Sequence, residues 1–203
     1  MNLRAIGCNV ASAAVELRER LAFDPAKTLK ALGELNARFA AEAVVLGTCN
    51  RVEIYAARAD TVSALHAPAI ADFLAGIHGV PASEIAPHLY EHADAQAARH
   101  LFRVTSGLDS VVIGESQISG QVKEAYESAH QAAATGPLLN ALFQAAVRVS
   151  RRVRTETGIA HGHVSVSSAA VDFVRQVFDT FTDKTVLVIG AGKMGRLTLN
   201  HLA

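Results

Sequence analysis

The chain has 203 residues, with 19 Lys or Arg balanced by 19 Asp or Glu, so any nucleic-acid contact must come from a local basic patch. Its apolar runs are too short to span a bilayer, and two cysteines supply neither a disulfide framework nor a four-thiolate metal site. We therefore predict no membrane segment and no metal site. The amino terminus lacks the features of a signal peptide, which predicts a cytoplasmic protein.

The first half of the chain alternates strand and helix patterns, which is typical of an α+β domain. Strands are predicted at 3–10, 43–46 and 52–55, an extended piece at 88–90, and helices at 15–21, 25–40, 61–77 and 94–104. The run at 43–46 is continuously apolar, as expected for a buried strand. The run at 52–55 alternates, which predicts a strand with one exposed face.

A polar segment, Thr48-Cys49-Asn50-Arg51, connects the two short strands. A lone cysteine is most often a small buried hydrophobe. Here the polar neighbours predict an exposed strand end, where a thiolate could attack an activated carboxyl group. Arg51 could stabilise that thiolate or bind a substrate carboxylate through its planar fork. Cys8 lies inside an apolar strand pattern, and we expect it to pack in the core.

Two helical patterns at 117–134 and 138–155 follow a loop rich in glycine and polar side chains. Such a loop could donate hydrogen bonds to an amino-acid substrate, and the pattern fits a solvated surface loop equally well. His100, just before it, is a candidate acid or base. In the second helix, Arg148, Arg151 and Arg152 share a face because of their three- and four-residue spacing, and Arg154 lies nearby. This cluster could contact phosphates or could simply be a solvated helix face.

The last part begins with a helical pattern at 165–181 and then a strand-like run at 184–189. The run passes into a G-x-G-x-x-G sequence: Gly190, Ala191, Gly192, Lys193, Met194 and Gly195. A strand, this motif and a helix predict a dinucleotide-binding turn. Only eight residues follow, so the further strands and the ribose-binding residue are missing. We expect part of a longer protein, with weak or absent cofactor binding of its own.

Three segments, at 46–55, at 107–123 and at 152–157 with 165–171, together resemble glutamyl-tRNA reductase, in that family's order. The resemblance implies an α+β catalytic domain, a ferredoxin-like sandwich with added helices, at 1–157. The truncated start of an α/β Rossmann domain for NADPH would follow at 158–203. The implied reaction is the NADPH-dependent reduction of glutamyl-tRNA to glutamate-1-semialdehyde through a cysteine thioester, the first step of tetrapyrrole synthesis. The chain would retain at most acyl transfer.

The resemblance also assigns residues. Cys49 would be the nucleophile and His100 a second catalytic residue, while residues 190–195 would bind NADPH. The glutamate contacts would be Thr48, Asn50, Arg51, Ser110, Glu115, Ser116, Gln117 and Gln121.

The family further implies a homodimer, whose dimerisation domain this chain lacks, and is compatible with a complex with glutamate-1-semialdehyde aminotransferase. Val10 stands where the family commonly has histidine, and Ser116 where many members have proline. Two other functions stay open. One is an aldehyde-dehydrogenase-like thiol enzyme for a small free substrate, and the other is a non-catalytic tRNA- or protein-binding module.

Overall fold

The computed structural model describes residues 2–58, 65–160, 166–178, 184–190 and 192–202. Its strands form one antiparallel sheet in the order β2-β3-β1-β4. Their bounds are β1 (Asn2–Asn9), β2 (Glu42–Gly47), β3 (Arg51–Arg58) and β4 (Tyr90–Ala93). Helices connect β1 to β2 and β3 to β4. This β-α-β-β-α-β order is that of a ferredoxin-like domain.

Helices cover the sheet and extend beyond it. They are α1 (Val15–Arg20), α2 (Pro25–Phe39), α3 (Ala67–His78), α4 (Ala82–Ile85), α5 (Asp94–Thr105), α6 (Gln117–Gln131), α7 (Pro137–Glu156), α8 (Val166–Val177) and α9 (Lys193–Leu202). Short 3-10 turns lie at Ala86–His88 and Gly158–Ala160. None of the helices within the described ranges is long and apolar enough to cross a membrane.

Local sequence signals explain where α2 begins and ends. The Asp24 carboxylate accepts from the backbone N–H of Lys27 at 2.8 Å, and Pro25 occupies the first turn, where no N–H is needed. Ala40 then adopts a left-handed conformation and closes the helix. The predicted start of α3 was too early: its first residue is Ala67, after a cap by His66. Residues 61–64 of that prediction lie outside the described residues.

The prediction that β3 has one exposed face is wrong. Seven of its eight residues are buried, and because side chains alternate between faces, both faces of the sheet must be covered. Helices α2 and α3 pack on the sheet, and so do α5, α6 and α7. The polar members of β3, Glu53 among them, are therefore buried and need partners inside the protein.

The predicted buried strand at 184–189 is absent. Residues 184–190 have no regular secondary structure, and Leu187 and Ile189 are 80% and 91% exposed. A parallel strand is stable only between neighbouring strands, and no strand that the structure describes pairs with this run. The helix expected after the glycines does form, as α9, and packs beside α8. A Rossmann domain here stays a prediction.

Candidate active site

The turn between β2 and β3 is fixed by Thr48. Its hydroxyl accepts from the N–H groups of Asn50 and Arg51, both at 3.1 Å, and its own N–H donates to the Arg51 carbonyl at 2.9 Å. Such side-chain bonds to the backbone are how Ser and Thr build tight turns. They leave Cys49 exposed at the tip, as the sequence predicted.

A second element holds this turn from the side. The Arg18 guanidinium, on α1, donates to the Cys49 carbonyl and to the Ala13 carbonyl, the latter at 3.2 Å. The Val10 N–H donates to the Asn50 carbonyl at 3.0 Å. The thiol is therefore carried by a turn that is bonded to the segment after β1. Sequence reasoning missed Arg18, since nothing in the pattern of α1 relates it to a turn 31 residues away.

The loop between α5 and α6 depends on two glycines with positive φ, Gly107 at 74° and Gly114 at 84°. The Gly114 N–H donates to the Gly107 carbonyl at 3.0 Å. A Cβ on Gly114 would lie 2.2 Å from the Ile159 carbonyl oxygen, so no larger residue fits there. The Arg154 guanidinium, from α7, donates to the Gly114 carbonyl at 2.8 Å. This folded loop directs Ser110 and Glu115 towards the cysteine turn.

Together the turn, the loop and the start of α6 enclose a pocket of about 260 Å³, here called the thiol pocket. Its lining residues are Thr48, Cys49, Asn50, Arg51, Ser110, Glu115, Gln117, Ile118 and Gln121. Two of the residues predicted for the site do not line it. Ser116 is exposed at the start of α6, and His100 lies behind Arg51.

Behind the thiol pocket lies a buried charge cluster centred on Glu53, which is fully buried. The Glu53 carboxylate accepts from Arg51 at 2.8 Å, from the Tyr55 hydroxyl at 2.6 Å and from the Tyr90 hydroxyl. The His100 Nε2 lies 2.8 Å from the same carboxylate. Arg51, Glu53 and Tyr55 share one face of β3 because side chains in a strand repeat every two residues. This two-residue spacing from Arg51 is the sequence signal from which Glu53 could have been predicted as a site residue.

Each charged group in this cluster stabilises the ionised form of its partner. Burial by itself would raise the pKa of the Glu53 carboxyl, but the hydrogen bond from His100 and the charge of Arg51 outweigh it and lower the pKa to about 2. Burial likewise works against the charge of Arg51, and Glu53 overcomes it, so the pKa of Arg51 is raised. Burial and the nearby Glu53 charge raise the pKa values of Tyr55 and Tyr90, which stay neutral donors.

Arg51 is 2% exposed, which differs from the open polar position that its neighbours suggested. Its two terminal nitrogens also bond Asp109, at 3.1 Å each to the carboxylate and 2.6 Å to the carbonyl. The guanidinium is thus an organised cation at the wall of the thiol pocket. Asp109, Glu53 and Tyr90 are site residues that sequence reasoning did not single out.

A glycine makes room for this cluster. Gly7 pairs with Glu53 on one side and with Tyr90 on the other in the sheet register. A Cβ on Gly7 would lie 2.2 Å from the Val52 carbonyl oxygen and 2.9 Å from Cγ of Glu53. The bare backbone at Gly7 lets the Tyr90 hydroxyl reach across β1 to the carboxylate.

The pocket also has a weak acid in its wall. Burial raises the pKa of Glu115, and the charge of Arg51 opposes that rise. The remaining hydrogen-bonding groups of the lining are neutral hydroxyls and amides. A cation, a carboxyl group and several amides around a thiol suit a small zwitterionic ligand, and the volume is below the range of about 300–1,000 Å³ typical of drug-sized ligands.

The residues of the glycine motif are described in part. Gly190 has φ of 109°, and a Cβ on Gly195 would lie 2.1 Å from the Gly190 carbonyl oxygen, while the space beside Gly192 is open. This close approach suits the tight turn and exposed backbone of a diphosphate-binding loop. Ala191 lies outside the described residues, and the side chains of Lys193 and Met194 are not described.

The fold and the site together define an α+β domain that carries an exposed thiol in a polar, amino-acid-sized pocket. The family model for the N-terminal domain of glutamyl-tRNAGlu reductase matches residues 6–157. The chain belongs to the glutamyl-tRNA reductase family.

Individual relatives agree with that assignment. The chain is 45% identical to a glutamyl-tRNA reductase of Syntrophotalea carbinolica and 47% identical to that of Pelotomaculum thermopropionicum. Each alignment covers 100% of this chain and 45% of the relative. The solved glutamyl-tRNA reductase from Methanopyrus kandleri superposes with a TM-score of 0.69 at 34% identity, over 98% of this chain and 46% of that one. The chain thus spans less than half the length of these relatives.

Proposed function

We propose that this chain carries the acyl-transfer site of an NADPH-dependent reductase that converts glutamyl-tRNA to glutamate-1-semialdehyde, the first step of tetrapyrrole synthesis. The observation that supports this most directly is the thiol pocket. It surrounds an exposed cysteine with Arg51, Glu115 and neutral amides, in a volume suited to one amino acid. The relatives are named glutamyl-tRNA reductases, which supports glutamate as the amino acid and tRNA as its carrier.

The proposed reaction starts with attack of the Cys49 thiolate on the ester carbonyl that joins glutamate to tRNA. A carbon–sulfur bond forms, the bond to the ribose oxygen breaks, and that oxygen leaves with the proton released by the thiol. The ester resists hydride because its carbonyl is weakly electrophilic, and the thioester removes that obstacle. In this scheme Thr48 holds the turn that presents the thiol, and the amides of Asn50, Gln117 and Gln121 orient the glutamyl group.

Arg51 would bind the glutamate carboxylate as a cation already fixed by Glu53 and Asp109. Such preorganisation costs no rearrangement when the substrate binds. His100 contacts Glu53 and not the thiol pocket, so its part in this scheme is to hold Glu53, and through it Arg51, in place. Ser110 and Glu115 would bond the polar groups of glutamate. Ser116 lies at the start of α6 beside them, and because its side chain forms no capping hydrogen bond there, its hydroxyl could contact the substrate.

Residues 190–195 would hold the diphosphate of NADPH, and the geometry of Gly190, Gly192 and Gly195 supports this. When bound, NADPH supplies the hydride that turns a thioester into an aldehyde. We further propose that the reaction takes place in the cytoplasm and that the labile aldehyde passes to glutamate-1-semialdehyde aminotransferase.

Arginines on α7 would contact the phosphates of tRNA. Arg152 forms an exposed pair with Glu156 at 2.9 Å and Arg154 donates to the Gly114 carbonyl, so these two already have partners within the protein. Arg148 and Arg151 are exposed and form no ion pair with another described residue. They are the members of the cluster that remain to bind phosphate, and their loss should reduce the salt dependence of tRNA binding.

The test is intact-protein mass spectrometry after mixing the chain with glutamyl-tRNA in the absence of NADPH, with an acid quench. We expect a glutamyl adduct on the wild type and on Cys8→Ser, the matched control that removes the buried thiol. Cys49→Ser should give none that is labile to hydroxylamine, which cleaves thioesters. A hydroxylamine-labile adduct that persists in Cys49→Ser would contradict the proposal, and so would the absence of an adduct from a folded wild type that binds tRNA.

A further inference from the structure

A second cavity, of about 500 Å³, lies on the other side of the Arg51–Asp109 pair and is here called the arginine cavity. It is lined by Asn9, Ala11, Ser12, Tyr90, His92, Gln96, Arg99, His100, Arg103 and Asp109. The proposed acyl transfer uses neither Arg99 nor Arg103. The volume falls in the range of cavities that hold nucleotide-sized ligands.

The charge of this cavity is positive and uncompensated. Gln96, Arg99 and Arg103 come from successive turns of one face of α5. Neither guanidinium forms an ion pair with another residue in the part of the chain that the structure describes. The carboxylate in the lining, Asp109, is already bound to Arg51. Two free guanidiniums in a concave site suit a phosphate group, whose oxygens match the planar fork of arginine.

The rest of the lining suits the other parts of a nucleotide. Asn9, Ser12 and Gln96 contribute amide and hydroxyl groups to the lining, and groups of this kind can bond a ribose or a base edge. The rings of His92 and His100 lie 4.5 Å apart at an interplanar angle of 32°, and the half-buried His92 ring is the more exposed of the two. Unpaired RNA bases commonly stack on such rings and on arginine.

The position of the cavity connects it to the thiol pocket. Arg51 lines the thiol pocket, Asp109 lines the arginine cavity, and the two side chains are paired at 3.1 Å, so the cavities lie on the two sides of one ion pair. Val10, between Asn9 and Ala11 of the arginine cavity, also donates its N–H to the carbonyl of Asn50 in the thiol pocket at 3.0 Å. A molecule with an amino acid esterified to a ribose could therefore occupy both. Arg99 and Arg103 also border a groove lined by Val149 and Val153 of α7, the helix that carries Arg148 and Arg151.

We propose that the arginine cavity is a subsite for the phosphate-bearing 3′-terminal nucleotides of an aminoacylated RNA, with Arg99 and Arg103 binding phosphate. The identity of the RNA rests on the proposed function, whereas the anion site rests on the geometry of this cavity. The subsite holds the nucleotide end while the thiol pocket takes the amino acid.

The test uses the trinucleotide CCA with a 5′-phosphate, which has the sequence of the tRNA 3′ end and carries no amino acid. Binding to the 203-residue chain is measured by isothermal titration calorimetry up to about 1 mM, the weak end of specific binding. We expect Arg99→Ala/Arg103→Ala to bind at least about tenfold more weakly, with a smaller salt slope. The matched control Lys30→Ala/Arg38→Ala removes two exposed charges from α2 and should bind as the wild type does.

Three results would overturn the proposal. One is unchanged affinity in Arg99→Ala/Arg103→Ala with a wild-type circular dichroism melt, and another is the absence of binding to the wild type. The third is a wild-type protein that binds NADPH and not the trinucleotide, together with loss of that NADPH binding in Arg99→Ala/Arg103→Ala. Trinucleotide binding by Cys49→Ser at wild-type affinity would support the subsite even if no glutamyl adduct forms on the wild type. A failure of the proposed acyl transfer can therefore be distinguished from a failure of the proposed subsite.

Discussion

Replacement of Glu53 by glutamine tests whether the buried charge cluster holds the site together. Glutamine keeps the shape of the side chain and removes its charge. Arg51 would then remain buried with Asp109 as its carboxylate partner, and Tyr55, Tyr90 and His100 would share a neutral amide. Breaking a buried ion pair costs about 3–5 kcal/mol of the free energy of unfolding.

For a domain of this size, that loss lowers the melting temperature by roughly 6–20 °C. Thermal and urea unfolding of Glu53→Gln, followed by circular dichroism, measure it. The control is Glu127→Gln, which removes an exposed carboxylate 3.5 Å from Lys123 on α6. We expect the control to change the free energy of unfolding by less than about 0.5 kcal/mol.

The same variant has a second readout in its pH dependence. The pKa of Glu53 is about 2 in the folded protein against an ordinary value of 4.5, so the stability that its charge contributes is present above about pH 4.5. That stability is lost as the pH falls towards 2, because the unfolded chain binds the proton first. Glu53→Gln should show a shallower fall in stability over this range. An unchanged acid profile, or a loss below about 1 kcal/mol, would refute the role given to this cluster.

Gly7→Ala should lower the free energy of unfolding by at least about 2 kcal/mol, because the new methyl group would lie 2.2 Å from the Val52 carbonyl oxygen. Gly33→Ala, in α2, should stabilise the protein slightly, because nothing lies within 4 Å of the new methyl group. Urea unfolding of both variants checks this, and equal effects would contradict it. Iodoacetamide should modify exposed Cys49 in the native protein but modify Cys8 only after denaturation, since burial raises the pKa of the Cys8 thiol to about 11. Peptide mass mapping that finds both cysteines modified at similar rates in native protein would exclude that difference.

Sequence reasoning was most reliable where local chemistry decides the outcome. The exposed turn at Cys49 and the buried position of Cys8 are both present in the structure. The helices α2, α5, α6 and α7 were predicted within a few residues at each end, because their apolar periodicity and their caps are local features. The strands of the sheet were found for the same reason, although β4 was placed two or three residues too early.

Partners that are distant in the sequence could not be predicted in the same way. Arg51 looked like an open cation, and only the fold brings Asp109, 58 residues later, against its guanidinium. Glu53 looked like the exposed half of an alternating strand because the pattern could not show helices on both faces of the sheet. The run at 184–189 has a strand composition but has no neighbouring strand in the part of the chain that the structure describes.

The sequence by itself determined the family, and it predicted the candidate nucleophile and most of the residues that line the thiol pocket, because these are carried by short motifs with specific side-chain chemistry. The tertiary structure alone decided which charges are satisfied. It pairs Arg51 with Glu53 and Asp109, places His100 against Glu53 outside the thiol pocket, and gives Arg99 and Arg103 no ion pair with any residue that it describes. The physical reason is that charge pairing depends on distances of a few ångströms between segments that only folding brings together.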